Sequence, residues 1–175
     1  MASDSVDDKE GGRARQYSFI DIGEAHSEKV RALYDYWQSL RQGREMPRRT
    51  EIDPTAFWTL LKNVFMNEWH TDPERLYYRI AGNELVAALG REVRGKWLTD
   101  LYDNPEDVAR TLWIYRQAVT SRRPLIGRTD AKGLRIGAKT FEWIICPLSE
   151  DGQHVTHFIG LEDYVASRRY LGDPD

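Results

Sequence analysis

Few residues in this 175-residue chain have the types and spacings that bond-making chemistry needs. Two carboxylates, Glu68 and Glu142, fall in the strand-like runs "VFMNEWH" and "TFEWIICPL". A convergent pair of this kind could serve as general acid and base. Their spacing does nothing to bring them together, and solvated outer-face positions are the expectation for both. The four histidines, His26, His70, His154 and His157, stand on a connector, a strand end and a closing hairpin. His157 could line a pocket, although a packed or surface histidine is the commoner outcome. Cys146 is the one cysteine, which excludes an intramolecular disulfide and a cysteine-rich zinc site. On a strand it reads as a small buried hydrophobe. A Gly-rich phosphate loop, an HExxH pair and a GxSxG elbow are all missing. No recognisable catalytic set emerges from these residues, so a non-enzyme is expected and a small acid–base enzyme is the alternative.

The charge balance narrows the partners. A net charge of −3 argues against nucleic-acid binding, which needs a clustered positive surface. The basic loop "RQGREMPRR" carries Arg41, Arg44, Arg48 and Arg49. It reads as a solvated connector, with contact to an anion or a partner as its other use. No apolar run approaches the roughly 20 residues of a membrane span. The first residues, MASDSVDDKEGGRARQ, lack the apolar middle of a secretory signal. A cytoplasmic protein without membrane contact is expected.

The elements that must position any site follow from periodicity and punctuation. Residues 1–17 read as a flexible polar tail, because they cannot bury enough surface to order themselves. Residues 18–52 form an N-terminal helix and the basic loop, 53–168 a core, and 169–175 a C-terminal tail. In "SEKVRALYDYWQSLRQG", Ser27 caps a helix that Gly43 stops, and Val30, Leu33, Tyr34, Trp37 and Leu40 share one face. That stripe must lie on a sheet or on a second copy of the chain. Asp53-Pro54 starts a short helix. Strand candidates "VFMNEWH" and "RLYYRIAG" pair across Thr71-Asp72-Pro73, with Leu76, Tyr78 and Ile80 facing one way.

Gly82-Asn83 launches a helix through Leu89, with Leu85, Val86 and Leu89 inward and Gly90 ending it. Asn104-Pro105 caps the helix "EDVARTLWIYRQAV", whose Val108, Leu112, Tyr115 and Val119 form a face; Pro124 bounds it. Three strands, "PLIGRTD", "TFEWIICPL" and "VTHFIGLEDY", close the chain. In the penultimate strand Phe141, Trp143 and Ile145 share a face. Hairpins at both ends surround a helical crossover, which makes the fold α+β.

That element order, with "LVAALGREVRGKWLTDLYDNPEDVA" at its centre, resembles a PAS domain. Gly90, Gly95, Lys96, Leu98, Leu101, Pro105 and Asp107 fall on the PAS pattern "lfGy…eliGk.l.dl.hpeD". The longer run "LYDYWQSLRQGREMPRRTEIDP", with "YYRIAG" and "LGREVRG", looks like a short proteobacterial PAS-like family. The likeness spans about residues 30 to 165. It implies a five-stranded antiparallel sheet with a helical crossover sheltering a pocket and an N-terminal helix packed on the outer face. Bulky residues on both sides of the closing strands fit a sheet covered twice.

The resemblance also implies a bacterial sensory or scaffold module of signal transduction. Such a module binds a small apolar or aromatic ligand, or a protein partner or second copy of itself. Because the chain ends soon after its last strand, its signal is expected to leave in trans. A surface-only interaction module is a further alternative. Haem-binding relatives carry a histidine on or just before the long helix, and Asn104 to Arg123 contains none. Flavin-binding relatives carry a cysteine in a "GRNCRFLQ"-type helix, which is absent, so no cofactor is expected.

The expected pocket lies between the inner sheet face and helices 83–89 and 106–119. Its candidate residues are Tyr78, Ile80, Leu85, Leu89, Leu112, Tyr115, Trp143 and Ile145. Trp113 and Phe158 are further rings able to stack on a ligand, with core packing as their plainer use. The candidate partner contacts are Tyr34, Trp37, Arg48 and Arg49. An apolar lining would mark a sensor, and convergent titratable groups an enzyme.

Overall fold

Ser27 opens the first long helix, its hydroxyl accepting from the Val30 amide at 3.1 Å. In this computed structural model, which describes residues 16–131, 134–135 and 140–164, that helix is α1, Glu28–Arg41. Gln42 and Gly43, at φ 48° and 85°, adopt the left-handed conformation that ends it. Its apolar stripe turns inward: Val30, Leu33 and Trp37 are buried.

Among the described residues, the sheet beneath α1 has seven antiparallel strands in the order β1-β5-β6-β7-β2-β3-β4. The five expected strands form its centre: β2 (Val64–Thr71), β3 (Glu74–Ala81), β5 (Leu125–Asp130), β6 (Thr140–Leu148) and β7 (His157–Asp163). Two short strands, β1 (Tyr17–Phe19) and β4 (Lys96–Trp97), extend its edges. Tyr17 thus belongs to the sheet, although the sequence groups it with the polar tail. Residues 1–15 of that tail, and the C-terminal tail 169–175, lie outside the described residues.

The crossover from β3 to β5 runs through α2 (Asn83–Leu89), β4, α3 (Leu98–Leu101) and α4 (Pro105–Ser121). Gly90, at φ 68°, ends α2. Asn104 caps α4 by accepting from the Glu106 amide at 2.9 Å, and Pro105 takes the first turn, where its missing N–H costs nothing.

Strand β6 is buried from Phe141 through Leu148, as a strand covered on both faces must be. On the outer face α1 is fastened by two buried carboxylates. Glu142, only 3% exposed, accepts from the backbone amides of His26 (3.0 Å) and Ser27 (2.7 Å) and pairs with Arg128 at 2.8 Å. Asp163 accepts from the Ser27 hydroxyl at 2.7 Å and pairs with Lys29 at 3.2 Å. Glu142 is therefore not the solvated carboxylate expected from its strand. An acid buried this deeply is retained because several donors satisfy it.

Strand β3 departs from simple alternation. Met66 pairs with Ile80, but Asn67 pairs with Tyr78, which leaves Arg79 as an extra residue. This bulge turns Ile80 outward, 51% exposed, while Leu76 and Tyr78 stay buried.

Candidate functional site

Between the inner sheet face and the crossover helices lies a cavity of about 100 Å³. Phe65, Tyr78, Phe141, Trp143 and Ile145 supply its buried sheet wall. Tyr115, Thr111 and Ile114 face it from α4. Half-buried Tyr17, Tyr102, Asp107 and Arg110 stand nearer solvent, and Thr129 and Glu162 complete the lining.

Two missing side chains make room for the rings. A Cβ on Gly127 would stand 2.4 Å from the Trp143 ring, and one on Gly160 would stand 2.3 Å from the Phe65 ring. Contacts that close are forbidden, so β5 and β7 each give up a side chain to seat a pocket-wall aromatic. Trp143 is then fixed by its indole N–H, which donates to the Thr129 hydroxyl at 2.8 Å. Tyr115 is held from three sides. Asn67 Nδ2 donates to its hydroxyl at 2.6 Å, the Trp69 ring stacks on it at 6.4 Å, and Phe158 meets it edge-on at 4.8 Å.

The two buried phenols of the site keep their protons. Burial pushes the Tyr78 hydroxyl well above its ordinary range, reinforced by Tyr115, Tyr102 and Glu162. The same holds for Tyr115, with burial first and Glu162 next. Phenols in this state donate hydrogen bonds and do not act as bases. Glu162 accepts the Tyr164 hydroxyl, and Arg110 pairs with Asp107 at 3.3 Å. Asn67 is fully buried, and its Oδ1 has no hydrogen-bond partner among the described residues; nor has Trp69 Nε1. Asparagine is depleted in strands, so its presence in "VFMNEWH" is the one signal that could have flagged this strand as part of a polar site.

Four of the eight expected pocket residues, Tyr78, Tyr115, Trp143 and Ile145, line the cavity. Four do not. The bulge at Arg79 sends Ile80 to the surface. Leu85 and Leu89 pack into the core through α2. Leu112 borders a separate shallow recess beside Leu76 and Trp97. The face that α4 gives the cavity is Asp107, Arg110, Thr111, Ile114 and Tyr115, a helical stripe of mixed polarity. Choosing apolar positions selects the neighbouring stripe. Of the other rings, Trp113 is 39% exposed and Phe158 is buried against Trp69 and Tyr115.

Among the candidate partner contacts, Trp37 is buried and donates its indole N–H to the Pro147 carbonyl at 2.8 Å. It is taken up by the domain's own packing on the sheet, the first of the two placements expected for its stripe. Tyr34 is half-buried, and Arg48 and Arg49 are exposed. Glu68 and Glu142 do not meet. They align with His157 and Asp163, six residues apart on β7, a separation of about 20 Å along the strand. His157 sits by Glu68 at 3.8 Å, away from the cavity lining. Cys146 is buried, which holds its thiol protonated. Among the described residues no group of His, Cys, Asp and Glu could hold a metal ion, and no helix is long and apolar enough to cross a membrane.

Comparison with known proteins agrees with this architecture. Residues 25–162 match a family model described as the PAS domain. No curated protein matches the chain. The family match covers well over half of the sequence, and the chain belongs to the PAS domain family.

Proposed function

We propose that this PAS domain is a sensory module that takes a small ligand in its inner-face cavity and passes its occupancy to a protein partner, without catalysis. The cavity carries the reading. Its wall is aromatic and aliphatic with a few placed polar groups, the make-up of a small-molecule site. Its volume of about 100 Å³ is of the order of the ~150 Å³ that accommodates benzene and below the ~300 Å³ at which drug-sized pockets begin. A ligand near benzene in size is the natural occupant, not a macrocycle or a flavin. The reading places the protein in the cytoplasm, with its output delivered to another protein or a second copy.

Native mass spectrometry of freshly purified protein tests this. A small adduct shed on gentle activation, and missing from an Ile145→Trp variant whose side chain fills the space, is the expected result. An adduct of equal occupancy in both proteins would place the ligand elsewhere. Bare protein, together with no binding of benzene-sized fragments, would overturn the reading.

A second reading, an interaction module that uses only its surface, is favoured by three large apolar side chains. Trp58, Leu61 and Ile80 are 72%, 43% and 51% exposed. Light scattering of the free protein would report a self-association driven by them.

A further inference from the structure

We infer that the cavity takes a small neutral ketone or aldehyde, its carbonyl oxygen accepting a hydrogen bond from the hydroxyl pair of Tyr78 and Tyr115. This rests on the ligand-pocket reading and names its chemistry.

The protons of the two phenols outnumber their acceptors. Tyr78 and Tyr115 both line the cavity and are 8% and 4% exposed. Among the described residues, the hydrogen-bonding partners of their hydroxyls are Asn67 and each other. Asn67 enters as a donor. Its Nδ2 gives to the Tyr115 oxygen at 2.6 Å, while its Oδ1 has no partner among the described residues and so takes neither phenol proton. Both phenols keep those protons, because burial opposes their loss. One phenol can give its proton to the other. The second proton then finds no acceptor among the described residues, at the wall of a cavity that both side chains line. An unmet buried donor costs free energy that an arriving acceptor recovers.

The same count selects the ligand's chemistry. An amine or ammonium brings further donors where a donor is already in excess. A carboxylate accepts, but it would give up its water for a wall whose Arg110 is already paired with Asp107 at 3.3 Å. A ketone or aldehyde oxygen accepts without carrying a charge and brings no donor of its own. Phe65, Phe141 and Ile145 offer apolar surface to its carbon frame, and a volume of about 100 Å³ holds that frame to benzene scale.

The test titrates the full chain with cyclohexanone and with methylenecyclohexane, which has the same shape but lacks the acceptor. NMR follows both probes, and infrared spectroscopy follows the bound ketone. The carbonyl stretch of bound cyclohexanone should fall below its value in a hydrocarbon solvent, and the shift should vanish with Ile145→Trp, whose side chain fills the space. The double variant Tyr78→Phe/Tyr115→Phe should weaken the ketone about two- to tenfold, the worth of one hydrogen bond. Methylenecyclohexane should bind that variant unchanged, which also certifies its fold. Where the double variant does not fold, the infrared band of the parent decides alone. An unshifted band, or a ketone affinity equal in parent and double variant, overturns the inference and leaves the pocket reading standing. A shift that persists in Ile145→Trp places the ketone elsewhere and overturns the inference. If neither probe binds the parent, the inference and the pocket reading fail together.

Discussion

The outer and inner faces of the sheet are both covered but are finished in opposite ways. Under α1, the polar groups are tied to the chain: Glu142 holds two backbone amides and Arg128, Asp163 holds Ser27 and Lys29, and the Trp37 indole reaches the Pro147 carbonyl. Under α4, Asn67 Oδ1 and Trp69 Nε1 find no partner among the described residues, and a cavity remains between the rings. The same strand, β6, serves both regimes by alternation. The contrast separates two tasks. The outer face fixes the scaffold, whereas the inner face keeps space and polar capacity that the fold itself does not use.

The largest effect that would sharpen this contrast is at Trp37. Trp37→Ala should cost about 3–5 kcal/mol, because the ring is 1% exposed and its removal leaves a void in packed core. A chemical-denaturation midpoint equal to the parent's would show that α1 is not fastened as described. Next comes Glu142→Gln, which keeps an acceptor for one donor but weakens the rest. The loss should be about 1–3 kcal/mol, read in the same experiment.

The inner face should answer differently. Ile145→Phe adds volume where space exists, so the variant should unfold within about 1 kcal/mol of the parent, against the 1–3 kcal/mol of an overpacked core. The outward neighbour on the same strand supplies the control, since Ile144→Phe enters solid packing and should cost the full overpacking penalty.

The smallest effect concerns pH. Burial and the charge of Arg49 hold the His157 imidazole below its ordinary 6.5, against the pull of Glu68. A depressed folded-state pKa contributes stability that is complete above the unfolded value and is lost as pH falls through the folded one. Thermal melts should therefore decline as pH drops below about 6.5, and His157→Gln should flatten part of that slope.

Much of this scaffold is legible in the sequence. Ser27, the Gly82 to Gly90 bracket and Asn104-Pro105 mark helix ends through local backbone chemistry, and the structure uses them as caps and stops. The bulky two-sided pattern of "TFEWIICPL" announces a strand covered on both faces. What lies beyond reach depends on partners distant in sequence. Glu142 is buried because Ser27, 115 residues earlier, donates to it. The bulge at Arg79 arises from how β3 registers against β2, and it alone turns Ile80 outward. On α4, a surface that must receive a ligand mixes Asp107 and Arg110 with Ile114, so hydrophobic periodicity points one position away from it.

The central claim, that the aromatic cavity on the inner face is the space that takes a small ligand, is tested most directly by methyl NMR of isoleucine-labelled protein. The experiment titrates a mixture of benzene-sized amphipathic fragments. Ile114 and Ile145 line the cavity, while Ile144 and Ile159 are fully buried and outside its lining. The account predicts saturable shifts of the Ile114 and Ile145 methyls, with Ile144 and Ile159 unmoved. Shifts of equal size at all four, or none at Ile114 and Ile145, would contradict it.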